Sequence, residues 1–335
     1  MVAYRQARGF TPIELITVFI AVFVLLSTVL PSVSTVRESS RRSTCTANQK
    51  QISLAIKTFE EKYKHNPPSA YRVDDNGSDT YIGNNADTII SKVVPASAGA
   101  SGTAAPYSMF VKVLPFMEHG DLYERIDFSE STFGPTQKKN VANVVIPQLV
   151  CPANSGKISI NEAPYDIFNA AVTNYKSFGA TDRETLDNPE LVMASTVEVQ
   201  DGIGNGGGMH HPYGTVRAPK ATSLTFQTTE TRERRLASWY DGTTVALFGI
   251  VDDSGTRKVG LNNQWSEMPA SAIYATFGGG HAMTWGPSSE HPGVTVHSFA
   301  DGSARGIQDE IPLDVFGPLI TKASNDNAFA LDYGG

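Results

Sequence analysis

Gly9-Phe10-Thr11-Pro12-Ile13-Glu14-Leu15-Ile16-Thr17-Val18-Phe19-Ile20-Ala21-Val22-Phe23-Val24-Leu25-Leu26-Ser27-Thr28-Val29-Leu30 is the stretch on which the reading of this 335-residue chain turns. From Leu15 to Leu30 no residue carries a charge, and between Phe10 and Leu30 the one ionisable side chain is Glu14. As a helix, Phe10 to Leu30 extends about 31 Å at 1.5 Å per residue, the thickness of a bilayer's hydrocarbon core. The pattern predicts one membrane span over 10–30. Pro12 falls in the first turn, where its missing N–H costs little, and Pro31 stands at the exit. Glu14 is the anomaly, because a carboxylate in hydrocarbon is expensive and leucine would serve a bare anchor better.

Arg8-Gly9-Phe10-Thr11-Pro12-Ile13-Glu14-Leu15 resembles the type IV prepilin cleavage and methylation signal, with a glycine before an aromatic, a glutamate four positions after it and an apolar helix behind. Pro12 departs from the leucine more usual there. The resemblance implies that a prepilin peptidase cuts between Gly9 and Phe10 and methylates the new amino group of Phe10. Glu14 would then pair with that amine on a neighbouring subunit, which gives the carboxylate a reason to sit in lipid. The competing reading is an ordinary secretory signal with Ser32-Val33-Ser34 as its cleavage site, which leaves Glu14 without a role. Charge counting does not orient the span, since Arg37, Arg41 and Arg42 after it outnumber Arg5 and Arg8 before it; the processing signal would place the short leader in the cytoplasm.

The rest of the chain is of mixed composition, 40% hydrophobic and 18% charged, with enough apolar residues for a core. Twenty-seven basic residues against 34 acidic ones give a net charge of -7, which argues against a nucleic-acid partner. Loss of residues 1–9 would remove two arginines and no acids, leaving 25 against 34, or -9. The two cysteines exclude a zinc ribbon or a cysteine-dense scaffold.

From Ser32 to about His65 the helical pattern continues. Ile52, Ala55, Ile56, Phe59 and Tyr63 recur at three- and four-residue steps, and Pro67 and Pro68 end it. Arg37 to Lys50 is polar almost all round, which places it near the membrane surface or another subunit rather than in a core. Cys45 lies on this helix, and Cys151 follows a strand-like run, Val144 to Val150. Two readings stay open for the pair: a bridge formed in an oxidising compartment, or two buried thiols.

Beyond Pro68, short apolar runs alternate with Gly, Ser, Thr, Asn and Asp, as at Thr196–Val199, Leu224–Gln227, Thr244–Val251 and Val294–Phe299. The fold class expected is α+β, a long N-terminal helix packed on a mainly antiparallel sheet with long loops, pilin-like in plan. Its parts are a leader over 1–9, a membrane-spanning half-helix over 10–30, a soluble half-helix over 31–66 and a β-rich globular part over 67–335. Three further stretches resemble a branch of prepilin-like proteins that carries a domain of unknown function. They are Ser108 to Glu118 with Leu122-Tyr123, then Val150-Cys151-Pro152, and the ending from His291 to Arg305. In that ending His291 precedes Asp301-Gly302 by nine intervening residues, and Ala304 replaces a more usual apolar residue. Read from its residues, it is a hairpin with an Asp-Gly turn.

Other motifs point less sharply. Gly202-Ile203-Gly204-Asn205-Gly206-Gly207 matches a dinucleotide fingerprint, but Pro212 follows closely and a loop is expected. Adjacent His210 and His211 read as a surface loop. Asp74 and Asp326 lie in oxygen-rich stretches that suit calcium weakly, and no EF-hand pattern is present. His281, His291, His297 and Asp301 fall on different strand ends without a short chelating pair, so neither a metal nor any other cofactor is expected. The function expected is that of a non-enzymatic, membrane-anchored, pilin-like or pseudopilin-like subunit, assembling into or with a filament of the type IV pilus or type II secretion kind. Its partners would be the prepilin peptidase, like subunits and membrane lipid. Its place would be the cytoplasmic membrane, single-pass, with the C-terminal domain in the periplasm or at the cell surface. The alternative is a membrane-tethered or secreted enzyme or carbohydrate-binding protein using the His281–Asp301 region.

Overall fold

Thr11 opens helix α1 (Pro12–Tyr63) with a reciprocal cap. Its N–H and its Oγ1 both donate to Glu14 Oε2, at 2.8 and 2.9 Å, and the Glu14 N–H donates back to Thr11 Oγ1 at 3.4 Å. This is the Thr-x-x-Glu capping box, with Pro12 at the first helical position, where no N–H is needed. The computed structural model describes residues 11–71, 81–85, 88–91, 107–128, 141–154, 159–160, 170–181, 197–198, 204–205, 208–210, 215–216, 224–234, 238–242, 246–253, 256–259, 261–262, 264–268 and 283–321. Gly9, Phe10, Asp74, His211, His281 and Asp326 lie outside them. Helix α1 continues through Pro31 and stops at Tyr63, ahead of Pro67. Lys64 takes a left-handed φ of 64°, and its N–H donates to Glu60 O at 2.7 Å.

The chain divides into two units, Met1–Ser43 and Thr44–Gly335. In the first, the described apolar side chains are all exposed, among them Ile13, Leu15, Phe19, Phe23 (74%) and Leu26. At 100° per residue they cover every side of the helix, so no polar stripe faces water. Among the described residues no helix is long and apolar enough to cross a membrane.

In the second unit the remainder of α1 packs on a five-stranded sheet of β1 (Tyr175–Ala180), β2 (Phe226–Glu230), β3 (Ala246–Phe248), β4 (Val294–Phe299) and β5 (Ala304–Gln308). The spatial order is β3-β1-β2-β4-β5. All neighbours are antiparallel except edge strand β3, which runs parallel to β1. The fold is α+β, a long N-terminal helix on a mainly antiparallel sheet. Among the short helical pieces that precede the sheet are α2 (Met109–Val113), the 3-10 turn Leu114–Met117 and α3 (Gly120–Glu124). Ser108 caps α2 by accepting from Phe110 N at 3.1 Å.

One side of α1 is apolar. Ile52, Ala55, Ile56 and Phe59 are buried against Tyr107, Met109, Phe110 and Leu114, a cluster that extends to Trp239 and Tyr240. Each buried isoleucine, leucine, methionine or phenylalanine here contributes about 1.5–3 kcal/mol by leaving water. The side facing the sheet is polar. The single hydroxyl proton of Ser53 is shared between Gln227 Oε1 (2.6 Å) and Phe299 O (2.9 Å), while Thr228 bonds both Gln49 Oε1 and Ser298 Oγ. A bulge in β2 between Phe226 and Thr229 lets Gln227 and Thr228 both reach α1. The sheet's opposite face is aromatic. Phe178, Phe226 and His297 lie within 4.4–5.7 Å of one another by ring centroid, under Phe316 of α4 (Leu313–Ile320).

Four expectations need correction. Val144–Val150 is not a strand: turns lead into a 3-10 turn at Pro147–Leu149, since Pro147 has no N–H to give a ladder. Thr244–Val251 is not one strand. The Gly249 N–H donates to Thr181 O (3.1 Å), which separates β3 from a second strand, Ile250–Asp253, paired with Thr256–Val259. His210 is not on the surface but fully buried, its N–H donating to Phe178 O (3.2 Å) and its Nδ1 lying 2.7 Å from Pro67 O. The approach is close because Gly208 has no Cβ; one there would lie 2.4 Å from Phe178 O. Arg37–Lys50 is not wholly outside the core, since Cys45 and Gln49 are buried.

Candidate functional site

The nine residues between His291 and Asp301 contain β4 and the first residue of its turn. Six strand residues cover about 20 Å, and Cys45 to Lys57 of α1 covers about 18 Å, so strand and helix keep pace. Each half of the signature meets α1 at its own end. At the turn, Asp301 Oδ1 accepts from Ser303 N (2.8 Å), Lys57 Nζ donates to Asp301 O (3.3 Å), and Gly302 takes φ +89°. A Cβ at Gly302 would meet Leu54 Cδ2 at an ordinary contact distance of 3.4 Å, so it is the dihedral that favours glycine. Asp301 is exposed and shapes the turn. The hairpin expected from the residues is present, with Ser298 opposite Ala304.

At the other end Cys45 and Cys151 are joined in a disulfide, Cα–Cα 5.3 Å, 106 residues apart. Cys151 is set by β1 and α1 together. Its N–H donates to Asn174 Oδ1 (2.9 Å), the Asn174 N–H donates to Leu149 O (2.9 Å), and Asn48 Nδ2 donates to Val150 O (3.1 Å). His291 leads into β4, its N–H donating to Ser289 Oγ at 3.1 Å. The buried imidazole places Nε2 3.6 Å from Cys151 Sγ and 3.6 Å from Glu230 Oε1. Glu230 ends β2, where its carbonyl accepts from Ser288 N (3.0 Å) and Oε2 accepts from Val296 N (3.2 Å). Its Oε1 is buried without a hydrogen bond and faces His291. Burial, and secondarily the Glu230 carboxylate, push the hydroxyl of neighbouring Tyr175 well above the usual tyrosine range.

Cys45, Cys151, Glu230 and His291 thus present four ligand-type atoms within 4.8 Å of one another, all buried. Among the described residues they form the one cluster of this kind. His297 and Asp301 take no part in it. His297 lies on the aromatic face, its Nδ1 2.9 Å from Thr295 O, and burial pushes its pKa down to about 3. Burial likewise pushes His210 down to about 4, against the opposing pull of the Pro67 carbonyl. Sequence reasoning did not find Glu230. It stands 61 positions before His291 in an unremarkable strand, and no local signal marks it. The Thr11–Glu14 cap was legible as a Thr-x-x-Glu motif ahead of an apolar run and went unread.

A family model described as "Protein of unknown function (DUF1559)" matches residues 34–249. The match begins after the Gly9–Glu14 motif and ends before His291. No curated protein and no solved structure matches the chain. Since the family model spans more than half of its length, the chain belongs to the DUF1559 family.

Proposed function

We propose that the protein is a non-enzymatic, single-pass, pilin-like or pseudopilin-like subunit, cut at Gly9 and displaying its α+β domain outside the cytoplasmic membrane. The observation that carries this reading is the first unit's apolar surface, exposed on every side of the helix from Ile13 to Leu26. Such a surface is unstable in water and needs lipid or copies of itself around it. The uncharged run to Leu30 gives it the length of a span.

Glu14 fits the reading through its two oxygens. Oε2 is held by Thr11, while Oε1 has no partner among the described residues. In the proposed filament Oε1 meets the methylated Phe10 amine of a neighbouring subunit, which sets the axial register. The apolar helix holds the monomer in the bilayer until a machine of the type IV pilus or type II secretion kind extracts it. The local cap gives Glu14 a second role, starting the helix, and the two roles are compatible because they use different oxygens.

Mass spectrometry of the N-terminal peptide from membranes tests the proposal. A chain beginning at methylated Phe10 is expected; an intact Met1, or a start near Thr35, would oppose it. Glu14→Leu should leave the chain in the membrane and abolish co-assembly of tagged and untagged copies, measured by crosslinking. Glu14→Gln, which keeps the cap's acceptor oxygen but loses the charge, should fail in the same way. Normal assembly of the glutamine variant would reduce Glu14 to a cap.

A further inference from the structure

We propose that Cys45, Cys151, His291 and Glu230 form a four-ligand site for a zinc-class divalent cation when the disulfide is reduced, so that the bridge is the oxidised state of a metal site. The geometry is close to ready. In a tetrahedral site with ordinary zinc bond lengths, N···S separations are about 3.6 Å and N···O separations about 3.3 Å. His291 Nε2 already stands 3.6 Å from Cys151 Sγ and 3.6 Å from Glu230 Oε1. The four ligand atoms lie within 4.8 Å of one another, so a tetrahedral site needs the other pairs to settle near about 3.6 Å and the two sulfurs to part to about 3.8 Å, which a covalent bond forbids and reduction permits.

Glu230 Oε1 supplies the independent pointer to a ligand. Its residue is 2% exposed, yet the oxygen has no hydrogen bond and faces the cluster. A buried carboxylate oxygen left unbonded is costly, and a cation bound there would satisfy it. The other carboxylate oxygen is fixed by Val296 N, so Oε1 is presented in one orientation.

Reduction by a dithiol breaks the Sγ–Sγ bond. Two electrons and two protons pass to Cys45 and Cys151, and the donor leaves as its own disulfide. On metal binding the two thiols release their protons to solvent as one dication enters, so the net charge of the buried cluster does not change. Oxidised, the site ties α1 to the segment before β1 covalently. Reduced and loaded, it ties α1 to the same segment, to β2 and to the entrance of β4.

The test uses the full chain in detergent micelles, reduced with excess dithiol, desalted without oxygen and titrated with Co(II), then Zn(II). One equivalent of Co(II) per chain should bind, with the visible bands of tetrahedral coordination and a sulfur-to-cobalt charge-transfer band, and Zn(II) should displace it. The oxidised chain should show neither band. Glu230→Gln and His291→Gln should each weaken binding by about tenfold or more, the scale on which zinc sites respond even to loss of outer-shell partners. A reduced chain with two reactive thiols and native far-ultraviolet dichroism that binds no cobalt overturns the proposal. So does binding that both variants leave unchanged, because the sulfurs alone would then suffice. If reduction unfolds the domain, recovery of the native spectrum on adding zinc supports the site, and failure to recover overturns it.

Discussion

The two parts of helix α1 invert the usual arrangement. Before Ser43 its described apolar side chains face outward on every side, whereas between Cys45 and Phe59 polar Gln49 and Ser53 are fully buried. One continuous helix therefore obeys two solvents. The lesson is that side-chain type alone does not report burial; what surrounds each segment does. Outward leucine and phenylalanine are stable only if hydrocarbon or protein encloses them, and inward glutamine and serine only if every partner is in place.

This contrast can be attacked at several depths, and the bridge is the deepest. Cys45→Ser with Cys151→Ser should lower the stability of the domain by about 4–5 kcal/mol in the chain-entropy account of a 106-residue loop, read as a shift in the denaturation midpoint. Phe59→Ala, in the buried part of α1, should cost about 3–5 kcal/mol by the same measurement. Acid should act through His297. Its unfolded imidazole takes up a proton near pH 6.5 and the folded one only near 3, so between these values the unfolded state holds more protons and stability falls as pH drops. His210 acts in the same direction between 6.5 and about 4. A loss of a few kcal/mol from pH 7 to 3.5 is expected, and His297→Phe should make that loss visibly smaller. Ser53→Ala removes the donor to Gln227 and Phe299 and should cost about 1–3 kcal/mol. Phe23→Ala, on the outward part, should change the domain's denaturation midpoint by less than about 0.5 kcal/mol while weakening retention in membranes. If Phe23→Ala instead destabilised the domain as much as Phe59→Ala does, the contrast would be void.

Where pattern and packing agree, the fold could be read in advance. The Val294–Phe299 hairpin, its Asp301-Gly302 turn and the Ile52–Phe59 part of the helix stripe were visible, because each depends on a two- or four-residue period and a local turn, whereas Tyr63, which continues the same period at the helix end, is half exposed. Cys45 and Cys151 were visible as a possible pair, though spacing left free thiols open. The pieces that were not legible depend on distant partners. Gln49 and Ser53 look like surface residues until β2 and β4 meet them across 174 to 247 residues, and Glu230 becomes notable only once His291 faces it. His210 was misplaced because the sequence cannot show that Gly208 lets a loop press against β1.

The pairing of Ser53 with Phe299 also bears on how the molecule is made. Those residues are 246 positions apart, so at roughly 5–20 residues per second a ribosome needs about 12 to 50 s to deliver the strand after it has delivered the helix. For that interval the serine and glutamine of α1 remain hydrated and the sheet they join does not yet exist. Polar residues at this joint leave that side of the waiting helix wetted, where leucines in the same places would add apolar surface to the stripe of Ile52, Ile56 and Phe59.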